Sequence, residues 1–350
     1  MDDMNPAMAA MAMISMMSFS SASRKRDGRR GREWGNPKSA QEVMDQFDDD
    51  DFKNCFRFAK EDIDRLFTLF GFVEVFTSVG DRCCAKVALL MLLYKLHYPT
   101  RLIDIARVFG RNRTTCSRIL NKYVTRLNRK YKRKIYWDRE HLRRRIHWYA
   151  DAISEKSDGI LQRGIGLVDC TYKYICRPSR FQETCWNRYK KKHGIKFLTI
   201  IGPDGIIYHC FGATEGRRHD GTLYREARLP YLMMRDCRGF YLIGDVAFPL
   251  SPFLLKPLLR SLWNPLTAAQ KYFNKRLASL RVVVEWGYQL VNSLWAYQNF
   301  YTTQQVFKTK PSQYYLACTL LTNCYNCIYP NRVSTYFGLD PPTLEEYMSY

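Results

Sequence analysis

Ile165-Gly166-Leu167-Val168-Asp169 decides the architecture: a short, β-prone apolar run closed by a carboxylate. Such a run reads as a buried strand. Similar runs follow at Phe197-Leu198-Thr199-Ile200-Ile201, Ile206-Ile207-Tyr208 and Phe240-Tyr241-Leu242-Ile243. Pro203-Asp204-Gly205 separates the second from the third, which is a hairpin signal. Helical patterns occupy about 221–229, 268–294 and 312–327, so residues 160–330 read as one α/β domain.

Working outward, the texture before this domain is helical and basic. Residues 101–150 hold 16 Lys and Arg against Asp104, Asp138 and Glu140. Residues 46–150 are therefore expected to form a small all-α domain. Within it, 101–109 has a helical apolar face, and Gly110 supplies the positive φ of a sharp turn. Asn112 is placed to cap a second helix running to about Leu127. Ala106, Cys116 and Ile119 face a shared core, which is the pattern of a helix-turn-helix. Arg113, Thr114, Ser117 and Arg118 then lie at the outward start of the second helix, where base edges are read. An ordinary helical hairpin with a solvated basic face is the competing reading.

Residues 1–45 read as a disordered basic arm, with Arg24-Lys25-Arg26 and Arg29-Arg30-Gly31-Arg32 followed by the acidic patch Asp48 to Asp51. Basic clusters of this kind act as nuclear-import signals or grip phosphates. The Met/Ala-rich opening begins with Asp2 and Asp3 where a secretion signal carries Lys or Arg, so it reads as a leader. Residues 331–350 are expected to be a C-terminal tail.

The whole chain has 350 residues, 46% apolar and 25% charged, which excludes a wholly disordered or fibrous protein. Its formal net charge of +22 calls for a polyanionic partner. No run is long enough to span a bilayer and there is no amphipathic anchor, which leaves nucleic acid and no membrane. Twelve cysteines without a secretion signal fit a reduced, intracellular chain. Cys324-Tyr325-Asn326-Cys327 is a lone pair without a second at finger spacing, so helix packing is its expected role.

Four acids stand where acids are otherwise unexpected. Asp169 and Asp245 follow strands, Asp220 follows the second and third strands, and Glu285 interrupts Val282-Val283-Val284. Carboxylates at the ends of neighbouring parallel strands, joined by one from a helix, suit two hard cations, Mg²⁺ or Mn²⁺. Singly, each acid is as well explained as a cap or turn residue, and Glu285 could pair with Arg281 one helical turn earlier. The strip Arg188, Lys190, Lys191, Lys192 and His193 either grips phosphates or is a solvated strand edge. The aromatic stretch from Trp286 to Tyr301 reads as core for the helix that bears Glu285.

From about 165 to 299 the chain resembles the DDE nuclease domain of PIF/Harbinger-type transposases. The matching stretches are VDCTY (168–172), YKKKHGIKF (189–197), GPDG (202–205), GRRHDG (216–221), GDVAFPL (244–250), Phe273-Asn274, and Arg281 to Glu285. The resemblance implies a ribonuclease H-like fold, a mixed five-stranded sheet flanked by helices, preceded by the helical DNA-binding module. It also implies dependence on a divalent metal, with two ions, and cleavage and strand transfer at transposon terminal repeats in the nucleus. Duplex DNA, at the transposon ends and the target site, is the implied partner, with a Myb-like accessory protein; self-association is compatible with it. Asp169 matches the first aspartate and Glu285 the glutamate. Asp245 and Asp220 compete for the second aspartate, and topology ranks Asp245 higher because first and fourth strands are neighbours in such a sheet. Three positions depart from the pattern: Cys170, Gly221 and Trp286. None removes a carboxylate, so the alternative is a host-recruited, catalytically silent DNA-binding protein.

Overall fold

The structure, a computed structural model, describes residues 36–260 and 265–349. The chain forms two compact units. Among the described residues, one gathers 36–130 with 174–183 and 294–317; the other holds 131–173, 184–260, 265–293 and 318–349.

The first unit is built round the helix Ala85–His97, in which every residue from Val87 to Leu93 is buried. A helix apolar on all sides must be enclosed. Helices Asp49–Phe56, Lys60–Phe70, Leu102–Phe109 and Arg113–Lys130 enclose it. The Asp48–Asp51 patch has a local use: Asp48 caps Asp49–Phe56, and the next three acids sit in its first turn, where the helix dipole favours negative charge. The basic arm ends earlier than expected. Ser39 and Glu42 form a capping box, and Ala40–Met44 is helical with Val43 and Met44 buried. The leader and both Arg/Lys clusters lie outside the described residues.

Leu102–Phe109 ends at Gly110 with φ 61°, and a Cβ there would lie 2.1 Å from the Asn36 carbonyl oxygen, so only glycine fits. Asn112 accepts the Thr114 amide at 2.9 Å, and the second helix runs to Lys130, past the expected end. Ala106, Cys116 and Ile119 are buried, as their spacing requires. An antiparallel hairpin absent from the sequence reading, β1 (Glu74–Phe76) and β2 (Arg82–Cys84), packs against this helix. Its turn carries Asp81, and that corrects the reading of Arg118. The guanidinium forms a two-pronged pair with Asp81 at 2.6 and 2.9 Å, while Thr115 also donates to Asp81. The planar fork of Arg118 is committed to a carboxylate rather than presented for base edges. Arg113 and Thr114 are exposed at the helix start.

The second unit is a mixed sheet flanked by helices. Its strands are β3 (Gly164–Tyr174), β4 (Trp186–Asn187), β5 (Lys192–Ile201), β6 (Ile207–Glu215), β7 (Tyr241–Ile243) and β8 (Leu254–Leu255). The main order is β6-β5-β3-β7-β8, with β4 also paired to β5. Six strands thus replace the expected five, the addition being the two-residue β4. β5 and β6 are antiparallel through the Pro203-Asp204-Gly205 turn; β3, β7 and β8 are parallel. Helices Arg139–Lys156, Ala268–Leu294 and Arg332–Phe337 share a core with β3 and β7 that includes Ile153, Leu167, Ile243, Leu280, Val284 and Phe337.

Two expected boundaries move. Residues 131–150 belong with the sheet, because Trp137 packs on Tyr208 and His209, and Asp138 donates its amide to the Tyr208 carbonyl at 2.9 Å. Residues 331–350 are no tail: Arg332–Phe337 and Leu344–Met348 are helices with Val333, Phe337, Leu344 and Tyr347 buried. Asn323, buried on Pro311–Asn326, holds this end by bonding both Ile207 and the Tyr347 hydroxyl. The aromatic stretch divides, with Trp295 and Tyr297 buried but Phe300 and Tyr301 exposed.

Two predictions follow from the packing. Arg118→Ala should cost about 1 kcal/mol of stability, since the pair is partly exposed. Arg113→Ala should leave it unchanged in denaturant titrations. In the second unit, burial pushes His209 down to about 4 from its ordinary 6.5, against the bond to the Tyr136 carbonyl. The unfolded chain therefore takes up this proton first, and stability should fall as pH drops from about 6.5 to 4. His209→Gln should flatten that part of the stability profile.

Candidate active site

Leu167 of β3 lies opposite Ile243 of β7 in a parallel pair. Two residues further along each chain stand Asp169 and Asp245, so the parallel register brings the two positions level; β3 runs on to Tyr174, which puts Asp169 inside its strand rather than after it, while Asp245 lies just past β7. Asp169 is half-buried. Burial above all, with Asp220 and Asp245 adding to it, pushes its carboxyl up to about 6, against the Cys170 amide and Arg281. That mutual influence places Asp169, Asp220 and Asp245 in one electrostatic neighbourhood.

Asp220 arrives from the third strand. It is the first residue of the helix Asp220–Glu226, which His219 caps by accepting the Gly221 amide at 3.2 Å. Preceding it, Gly216 passes so close to β5 that a Cβ would meet the Gly194 carbonyl oxygen at 2.4 Å. This contact gives the glycine of GRRHDG a physical reason. The loop is then held by Lys196, whose Nζ lies 2.5 Å from Asp220 Oδ1 and 2.8 Å from the Arg218 carbonyl.

Glu285 stands on the helix Ala268–Leu294 and its side chain is exposed. Its helical neighbours orient it. Arg281, four residues before, reaches Asp245 at 3.2 Å; Tyr288, three residues after, donates its hydroxyl to the Asp169 carbonyl at 2.9 Å and bonds Thr199 at 2.6 Å. Residues spaced this way share one helix face, so Glu285 sits on the face turned to the aspartates. The pairing of Glu285 with Arg281 weighed from sequence is replaced by Arg281 with Asp245. Asn274 of the Phe273-Asn274 match bonds both the amide and the carbonyl of Leu258, at 2.9 and 2.8 Å, pinning the segment after β8 to the same helix.

Sequence reasoning gave Lys196 no role and set Arg281 against Glu285 rather than Asp245. Lys196 is a lone charge inside the apolar run 195–201, and that interruption was its available signal. Each of the two, Lys196 and Arg281, neutralises one aspartate. Among the described residues no three acids, histidines or cysteines stand at metal-holding distance of one another. As a donor set, Asp169 and Asp245 suit an oxygen-preferring divalent cation. At the three departures, Cys170 is half-buried beside Asp220, Gly221 gives its amide to His219, and Trp286 packs edge-on against Tyr336 under the Arg332 guanidinium.

Residues 168–323 match the family model described as DDE superfamily endonuclease. The match covers the strands and helices that carry all four acids. A curated relative, "Protein ALP1-like" of Arabidopsis thaliana, is 22% identical over 217 residues, covering 57% of this chain and 50% of the relative. The chain therefore spans about half the length of the curated relative it matches. No solved structure matches the chain.

The matched segment also carries the basic strip. Lys190, Lys191 and Lys192 are exposed at the turn joining β4 to β5. Cys324 is buried within Pro311–Asn326, its sulfur 4.0 Å from that of Met348. No helix of the described residues is long and apolar enough to cross a membrane.

The ion pair at Asp220 can be tested directly. Lys196→Met should destabilise the chain by about 1–3 kcal/mol, because a half-buried carboxylate loses its charged donor. Amide exchange over 216–226 should quicken in this variant. Unchanged protection there would show that Lys196 does not hold the loop.

Proposed function

We propose that this chain is a transposase-derived, divalent-metal-dependent DNA endonuclease of the PIF/Harbinger type. One observation carries the reading: Asp169 within β3 and Asp245 just past its parallel partner β7, with Asp220 close by and Glu285 on the facing side of its helix. The strand order β6-β5-β3-β7-β8, with β5 and β6 antiparallel and β3, β7 and β8 parallel, supports a ribonuclease H-like sheet.

Asp169, Asp245 and Glu285 would hold the cations, with Asp220 as a further ligand or as a partner behind them. Bound there, divalent ions would activate water and stabilise charge on the scissile phosphate. The chain's own residues do the rest. Lys190 to Lys192 would grip the backbone beside the acids, and exposed Arg113 and Thr114 would approach base edges from the first unit. Tyr288 fixes the Glu285 helix to β3 and β5, which sets how closely the glutamate can approach. Duplex DNA with transposon terminal repeats is the proposed substrate, strand transfer to a target site the proposed outcome, and the nucleus the proposed location. A Myb-like accessory protein and self-association belong to the same reading.

A second reading has its own observation. Arg281 already sits on Asp245 and Lys196 on Asp220, so two of the acids carry protein cations. If these pairs persist, the chain is a silent, host-recruited DNA-binding protein. Metal binding separates the two without needing activity. For the nuclease, Mn²⁺ at a hundredfold excess over its dissociation constant should stabilise the full chain by about 2.7 kcal/mol. Asp169→Asn should abolish that gain and also abolish cleavage of duplex DNA bearing the chain's own flanking repeats. Retention of DNA should survive the change and weaken steeply with added salt. A wild-type stability indifferent to Mn²⁺, together with intact DNA retention, would select the silent protein.

A further inference from the structure

The turn between β4 and β5 holds a feature that phosphate gripping does not use. Tyr189 is 90% exposed, the most exposed of the large hydrophobic residues among those described. Bare aromatic rings are unfavourable in water, and a tyrosine this open contributes little to the core. Its neighbours are Arg188 on one side and Lys190, Lys191 and Lys192 on the other. Trp186, 39% exposed at the base of the same hairpin, packs edge-on against His193.

The turn is built rather than loose. Asn187 Oδ1 accepts the Lys190 amide at 2.9 Å, and Lys191 turns the chain with φ 50°. Two bonds then lash it to the segments that carry the acids. Tyr172, three residues past Asp169, donates its hydroxyl to the Lys192 carbonyl at 2.7 Å. Asn187 donates to the carbonyl of Gly216 at 3.0 Å, four residues before Asp220. Lys196, which touches Asp220, is four residues from Lys192 along β5, or about 13 Å. A duplex with a phosphate at the acids would pass the tip of the hairpin within roughly four or five base pairs.

We infer that Tyr189 is a base-stacking wedge: it inserts its ring against an unstacked nucleobase of the DNA whose phosphate lies at the acids, while the flanking lysines hold the backbone. This rests on the nuclease reading for its DNA, and it adds a contact specific to distorted duplex. Aromatic rings on basic platforms bind bases through π-faces without regard to sequence, and apolar wedges enter base steps where stacking is already weak. Lysines alone attract every phosphate equally.

The test compares the full-length protein on two short duplexes of one arbitrary sequence, one intact and one with a central abasic site. Wild type should bind the abasic duplex about tenfold more tightly, because the gap accepts the ring without unstacking a pair. Tyr189→Ala should lose that preference with its unfolding midpoint unchanged, and Tyr189→Trp should keep it. Lys191→Ala should weaken both duplexes alike and leave the ratio intact. Equal preference in wild type and Tyr189→Ala, with DNA still bound, would overturn the wedge and leave a plain phosphate clamp. Failure of wild type to bind either duplex would overturn the DNA reading beneath it.

Discussion

Parallel pairing of β3 with β7 is the constraint from which the candidate site follows. Antiparallel neighbours would send their ends to opposite edges of the sheet. Parallel ones deliver the residues after Leu167 and after Ile243 to one edge, so two aspartates meet without either being drawn there by attraction. Burial above all, with Asp220 and Asp245 adding to it, raises the carboxyl of Asp169. It is the hydrophobic core beneath, with Leu167 and Ile243 fully buried against Leu280 and Val283, that holds like charges together. Packing energy is here converted into electrostatic tension.

That tension is relieved in two ways from within the chain. Lys196 reaches across from β5 to Asp220, and Arg281 comes down from the long helix to Asp245. Both are flexible, solvent-touched side chains that a bound cation could displace. Glu285 stays exposed on the same helix face, between Arg281 and Tyr288. The helix thus presents a cation and an anion to the aspartates from positions one turn apart, and which of them closes on the site decides between the two functional readings.

The strands that matter were legible because each contains a short apolar run, and the hairpin turn at 203–205 has strong local chemistry. The acids were legible for the same reason: a charge that breaks an apolar run is conspicuous. What escaped was non-local. β1 and β2 are three-residue strands formed by mutual pairing, and nothing in Glu74-Val75-Phe76 announces a partner eight residues on. Arg118 looked free from its place on the helix, and only the fold brings Asp81 beneath it. The C-terminal segment seemed a tail because its helices are five and six residues long, too short for periodicity to register.

The way the chain threads its two units has a consequence for synthesis. The helical unit starts before residue 130 but needs 174–183 and 294–317 to be complete. Lys95, buried on its central helix, lies over the ring of Tyr297, 4.4 Å from the centroid. On a ribosome that closing piece emerges only after nearly all of the sheet has been made. The amino-terminal unit therefore cannot finish folding first, as an independent leading domain would. Its early helices must wait, exposed, for partners encoded about two hundred residues downstream, and the many distant contacts involved predict slow folding and a dependence on chaperones during translation.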